Sequence, residues 1–256
     1  MCGIIAGISD TVVEVLISGL KQLQNRGYDS AGIALMNEKD FFVNKKASNN
    51  EENAITYLDN HYNLNEPETI LPIGIGHTRW ATHGPKTDIN SHPHISYDRK
   101  FALVHNGIIE NYIPLKDKLE RNGIFSTSET DSEIIVNLLA FYYSKNNDVE
   151  KSLEMTINEL EGTWGLVIIC IEHPNTLYCT RVGSPILIGL NNNSALVTSE
   201  VSGFCGKISD YTILNNRDIC VIRKDTESGQ INMNTREKSY KKKKVNVLAN
   251  DLTPEP

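Results

Sequence analysis

Positive charge is in short supply. The 256 residues carry 25 Lys and Arg against 32 Asp and Glu, a formal net charge of −7, and the sequence pI is about 5.5. A protein that grips nucleic acid by neutralising phosphates needs the opposite sign, so no nucleic-acid partner is expected. C-x-x-C spacing is absent, and the five cysteines (Cys2, Cys170, Cys179, Cys205 and Cys220) are odd in number. Four of them sit far downstream among apolar runs, so neither a disulfide framework nor a zinc site is expected. The opening residues have no basic stretch and meet Ser9 and Asp10 almost at once. They read as neither signal peptide nor membrane anchor, and the expected compartment is a reducing cytoplasm. No P-loop or dinucleotide fingerprint occurs, Gly74-Ile-Gly76 being too short to cradle a phosphate. No internal repeat or low-complexity tract is seen. With 39% hydrophobic and 22% charged residues, the composition excludes a disordered, collagen-like or membrane-spanning chain.

What is present is enough chain for one large domain or two small ones, with a core that needs no staples. Residues 3–8 form a short apolar run. Thr11-Val-Val-Glu14 is a capping-box pattern, opening a helix with Val12, Leu16, Leu20 and Leu23 on one face, stopped by Gly27. Residues 31–36 and 41–45 predict a hairpin, and 47–70 a polar segment with some helix. A strand is expected over 71–77, then an irregular stretch to Tyr97, then a strand over 101–105. Helices follow over 111–121, from a second capping box at Thr130–Glu133 to about Tyr143, and over about 150–161. The late strands, 164–171, 176–181, 185–190, 195–199 and 218–223, include several joined by short turns, which favours antiparallel sheets. Residues 2–240 read as one domain and 241–256, with Lys241–Lys244, as a solvated linker or tail.

The most informative residue is Cys2. Removal of Met1 would leave a thiol and a free α-amine on one Cα. The unperturbed α-amine titrates near 7.7–8.0, so a useful fraction can take the proton from the nucleophile without a His or Asp partner. From position alone, Cys2 also reads as a buried hydrophobe in the first strand.

Six blocks decide between these readings: Cys2-Gly-Ile-Ile-Ala-Gly7, Arg26-Gly-Tyr-Asp-Ser-Ala-Gly32, Gly76-His-Thr-Arg-Trp-Ala-Thr-His-Gly84, Asn90-Ser-His-Pro-His94, His105-Asn-Gly-Ile-Ile-Glu-Asn111 and Ser128-Glu-Thr-Asp-Ser-Glu133. In this order they closely resemble the glutamine amidotransferases with an N-terminal nucleophile. Arg79-Trp-Ala-Thr-His-Gly84 is similar to the sugar-aminating branch, the glutamine–fructose-6-phosphate aminotransferases (glucosamine-6-phosphate synthases). The likeness reaches Glu200.

The resemblance implies an α+β fold, a four-layer α/β/β/α sandwich of two antiparallel sheets. It implies hydrolysis of L-glutamine to glutamate and ammonia through a γ-glutamyl thioester on Cys2, with no cofactor and no metal. Asn106 and Gly107 match the oxyanion-hole positions, where preorganised donors meet the charge that develops on oxygen; read alone, Asn-Gly is also a turn dipeptide. Arg79 can grip the α-carboxylate of glutamine bidentately and Asp131 can pair with its α-ammonium, although an acid in a first helical turn is favoured in any case. Thr82 and His83 match glutamine contacts, His83 also reading as structural. Trp80 matches a loop tryptophan that closes the site, with core packing the plainer reading. Arg26 and Gly27 match residues that brace the nucleophile, Arg26 reading alone as a surface arginine. His77, His92, His94 and His105 could suggest a metal, but His92-Pro-His94 lacks helical ligand spacing.

The family implies an ammonia acceptor in a sugar isomerase domain, in cis or in trans, binding fructose 6-phosphate; nothing after about residue 240 could supply it here. A homo-oligomer is compatible with this, and a membrane partner is not expected. The rival reading is a non-catalytic glutamine-binding or assembly module, or an amidotransferase with another acceptor.

Overall fold

The computed structural model describes residues 2–26, 29–61, 70–80, 84–236 and 240–245, with Arg26 described by its main chain only. The chain begins with strand β1 (Gly3–Ile8) and helix α1 (Val12–Gln22), then the hairpin β2 (Ser30–Met36) and β3 (Phe41–Ala47), helix α2 (Ala54–His61) and strand β4 (Ile73–Arg79). A two-residue strand β5 (His94–Ile95) precedes β6 (Phe101–Ile109). Helices α3 (Tyr112–Arg121), α4 (Asp131–Asn146) and α5 (Val149–Glu159) follow. The remainder is strand: β7 (Gly162–Cys170), β8 (Thr176–Val182), β9 (Leu187–Leu190), β10 (Ala195–Thr198), β11 (Asp210–Ile213), β12 (Ile219–Lys224), β13 (Ile231–Thr235) and β14 (Lys243–Lys244).

These strands form two sheets, ordered β14-β11-β9-β10-β1-β4-β2-β3 and β13-β12-β8-β7-β6-β5, antiparallel throughout. Period-two alternation explains how they stack. Ile4, Ala6 and Ile8 of β1 share one buried cluster with Ala102 and Val104 of β6 and Val167 and Ile169 of β7, which is the layer between the sheets. Ile5 points the other way, into a cluster with Leu16 and Leu20 of α1 and Leu58 of α2. On the far side, Leu103 and Leu166 join α3, α4 and α5 in a third cluster. The result is the expected α/β/β/α sandwich. Helix α4 shows no single apolar stripe because it is buried along nearly its whole length, between the second sheet and its helical neighbours. No helix among the described residues is long and apolar enough to cross a membrane.

Local details depart from the sequence reading. The Thr11–Glu14 capping box does not close: Thr11 makes no side-chain cap, and Ser9 Oγ instead accepts the Thr11 N–H. At α4 the cap forms from one side only. Thr130 accepts the Glu133 N–H, while the Glu133 carboxylate turns to the N–H groups of Thr127 and Ser128. Strand β6 runs four residues beyond the expected end at His105, so Asn106 and Gly107 lie inside a strand rather than after it. Strands β11, β13 and β14 were not anticipated. Lys243 and Lys244 of the expected tail pair with Tyr211 and Asp210 at the sheet edge.

Candidate active site

At one end of the sandwich the start of β1, the end of β4, the middle of β6 and the first turn of α4 converge. The register places Gly3 opposite Thr78, which brings Cys2 beside the residues that leave β4. The Trp80 main-chain N–H donates to Cys2 Sγ at 3.2 Å. Thr78 fixes the strand start: its Oγ1 accepts the Gly3 N–H at 3.1 Å and donates to the Leu23 carbonyl. A Cβ on Gly3 would come within 2.7 Å of both Leu23 and Thr78, so this close approach demands glycine. Burial pushes the Cys2 thiol up; the Trp80 N–H and the Arg79 guanidinium pull it back down.

Cys2, Arg79, Trp80, Gly107 and Asp131 line one pocket, together with His92, His105, Thr130 and Ser132. Five of the residues expected from sequence are therefore brought together, and Asn106 joins them from behind. Its Nδ2 donates to the Cys2 carbonyl at 2.9 Å. Gly107 has φ of +134°, and a Cβ there would stand 2.2 Å from the Thr163 carbonyl oxygen on β7. The strand can carry this conformation only with glycine.

Arg79 is buried, and its guanidinium donates to the carbonyls of Gly84 and Pro85 at 3.4 Å each. Asp131 is buried at the N-terminus of α4, where the helix dipole and exposed N–H groups favour a carboxylate. Its Oδ2 accepts the Ile109 N–H at 2.9 Å, and its Oδ1 accepts from Ser132 Oγ. A cation and an anion thus face one cleft next to a thiol, each held by main-chain contacts. The Trp80 ring is 45% exposed rather than packed in the core. Gly27, Thr82 and His83 lie outside the described residues, as does the Arg26 side chain; Gln24–Arg26 form one turn of 3₁₀ helix.

The four histidines form a buried group whose ring atoms serve hydrogen bonds. His77 and His92 stack with centroids 4.1 Å apart, and His94 meets His92 edge-on. His77 Nε2 lies 2.9 Å from Asn106 Oδ1 and 3.0 Å from the His105 carbonyl. His92 Nδ1 accepts the His105 N–H, and His94 Nε2 contacts Thr130 Oγ1. Ser132 Oγ bridges His105 Nδ1 and Asp131. Burial holds His77 neutral, its pKa down at about 3, and depresses His92 and His94 strongly as well. Among the described residues no three His, Cys, Asp or Glu side chains are grouped as a metal site requires. Sequence reasoning missed the contact of His77 with Asn106. The signal available was a polar residue on the inward face of an otherwise apolar strand.

In its fold the molecule is a four-layer sandwich of the amidotransferase type. The glutamine phosphoribosylpyrophosphate amidotransferase from B. subtilis superposes with a TM-score of 0.74 at 21% identity, over 93% of this chain and 50% of that one. Residues 77–205 match the glutamine amidotransferase domain, and the chain belongs to that family. It is 37% identical to a glutamine–fructose-6-phosphate aminotransferase of Caldanaerobacter subterraneus, over 88% of this chain and 36% of the relative. The corresponding protein of Buchnera aphidicola is 40% identical over 87% of this chain and 36% of its own length. A probable one of Acanthamoeba polyphaga mimivirus is 37% identical over 100% of this chain and 42% of its own. The chain thus spans little more than a third of the first two relatives.

Proposed function

We propose that the chain is a glutaminase unit that releases ammonia for transfer to a sugar phosphate. The observation that carries this reading is one pocket holding the Cys2 thiol, the Arg79 cation and the Asp131 anion, with the Asn106 amide on the Cys2 main chain. Free glutamine offers an α-carboxylate to Arg79 and an α-ammonium to Asp131, which leaves its γ-carboxamide for the thiol. With Met1 removed, the α-amine of Cys2 takes the thiol proton, and sulfur attacks the amide carbon. The oxyanion that forms is met by N–H groups of Asn106 and Gly107. Collapse of the intermediate, with the proton passed to the leaving nitrogen, releases ammonia and leaves the γ-glutamyl thioester. Water then attacks, the thiol is reformed and glutamate departs. Trp80, exposed at the pocket, closes over the substrate; Thr82 and His83 contact the glutamine; Arg26 and Gly27 brace the nucleophile.

The names of the relatives support fructose 6-phosphate as the acceptor. It would be bound by a sugar isomerase domain corresponding to the part of those proteins that this chain does not span, in cis or as a partner. Five free thiols suit a reducing cytoplasm. The test pairs intact-mass analysis of the N-terminus with a glutamate-release assay. A processed N-terminus and activity lost in Cys2→Ala are expected. A processed N-terminus without Cys2-dependent release would instead make the chain a glutamine-binding module.

A further inference from the structure

We infer that His77 is the positioning residue that sets the orientation of the Asn106 carboxamide, keeping its N–H2 group rather than its oxygen on the Cys2 side. The inference deepens the functional reading above and rests on it for its kinetic consequences. It begins with two carbonyl oxygens that can only accept. The His105 carbonyl lies 3.0 Å from His77 Nε2, so that nitrogen must carry a proton. The same N–H then faces Asn106 at 2.9 Å, and only the amide oxygen can accept it. That choice turns Nδ2 toward the second carbonyl, that of Cys2, at 2.9 Å. A flipped amide would set N–H against N–H at His77 and oxygen against oxygen at Cys2. The mismatch at His77 would be fully buried and the one at Cys2 partly so, and leaving such groups unpaired disfavours the flip.

The ring is well held for this work. It stacks on His92 at 4.1 Å and 14°, and His92 is fixed in turn by accepting the His105 N–H. His77 stands on β4 of one sheet and Asn106 on β6 of the other, so the donor geometry is set across the sandwich rather than within a loop. His77 Nδ1 has no partner among the described residues. A second ring proton would have no acceptor, which keeps the imidazole in the single tautomer the arrangement needs. The Nδ2 group has two hydrogens and one described acceptor, and the other hydrogen is the one available to an oxyanion.

The experiment compares wild type, His77→Phe, His77→Gln and Asn106→Ala. The Phe ring keeps the stack and loses the donor; the Gln amide can place an N–H near Asn106 Oδ1. In steady-state glutamate release, His77→Phe should lose roughly 100–1,000-fold in kcat, the effect of removing one oxyanion donor, with the KM for glutamine within about threefold. His77→Gln should recover at least about tenfold of that loss. A glutamine-derived aldehyde that captures Cys2 as a hemithioacetal should lose affinity in parallel with kcat, while glutamate binding stays put. Independently of activity, the side-chain amide protons of Asn106, assigned by their disappearance in Asn106→Ala, should be two well-separated NMR signals in wild type and collapse in His77→Phe. A folded His77→Phe enzyme with wild-type kcat, a loss falling on KM alone, or unchanged Asn106 amide signals would overturn the inference. Absence of glutamate release from wild type would overturn the functional reading instead, and the NMR comparison would still decide the role of His77.

Discussion

The layer between the two sheets is built in two ways. Over most of its length it is aliphatic, with Ile4, Ile8, Ile75, Val104, Val167 and Ile169 fully buried. At the end that carries Cys2 it is made of the His77 and His92 rings and the Asn106 carboxamide, and His94 and His105 continue this polar group on the α4 side of the second sheet, all buried and all hydrogen-bonded. The aliphatic part is held by non-directional burial and tolerates any filling of similar volume and shape. The imidazole end is directional. Each ring nitrogen has to be in a given tautomer, and the charged form of these rings is penalised by burial. Non-directional burial and directional hydrogen bonding thus occupy different stretches of the molecule, and the pair can be separated experimentally.

The largest stability effect of a single substitution should come from the aliphatic stretch. Ile169→Ala, at a fully buried site, should cost about 2–5 kcal/mol in urea unfolding, with glutamate release per folded molecule unchanged. A loss of specific activity larger than the loss of folded protein would show that the two stretches are coupled.

Acid should act on the imidazole end. His77, His92 and His94 have folded-state pKa values below the unfolded one, His77 near 3, so the unfolded chain binds more protons as pH falls below about 6.5. Their stabilising neutrality is fully present above that pH and is lost progressively toward pH 3. The slope should be roughly 1 kcal/mol per pH unit for each histidine. Unfolding midpoints measured at pH 7 and pH 5 should therefore differ, and His92→Phe should flatten the difference. Equal midpoints would mean that these rings ionise freely in the folded state.

The smallest of these effects belongs to the first turn of α4. Thr130→Ala removes the side-chain cap on Glu133 N–H and the contact with His94. It should lower the unfolding free energy by about 1 kcal/mol. Because Asp131 is fixed by that turn, it should also raise the KM for glutamine more than it lowers kcat. An unchanged KM would detach Asp131 from its cap.

Much of this architecture could be read from the chain. The apolar run at 3–8, the helical face of Val12, Leu16 and Leu20 and the hairpin at 31–45 each carry their own period, and each formed close to its expected bounds. The unseen parts have physical reasons. Strand β13 alternates Ile231, Met233 and Thr235 with asparagines, a signal diluted by residues that also favour turns. Asn106-Gly107 reads locally as a turn, and the ladder to β7 overrode that preference. Asp29 shows the same limit: its N–H donates to the Arg79 carbonyl and its carboxylate lies 3.6 Å from Lys86, contacts invisible in a linear reading.

Residue types and their order along the chain determined the family and the alternation that stacks sheet on sheet, because those depend on local periods and on side-chain chemistry. Only the tertiary structure decided which way the Asn106 amide faces and which tautomer His77 adopts. Both are set by hydrogen bonds between strands that lie far apart in sequence and meet only when the two sheets close on each other.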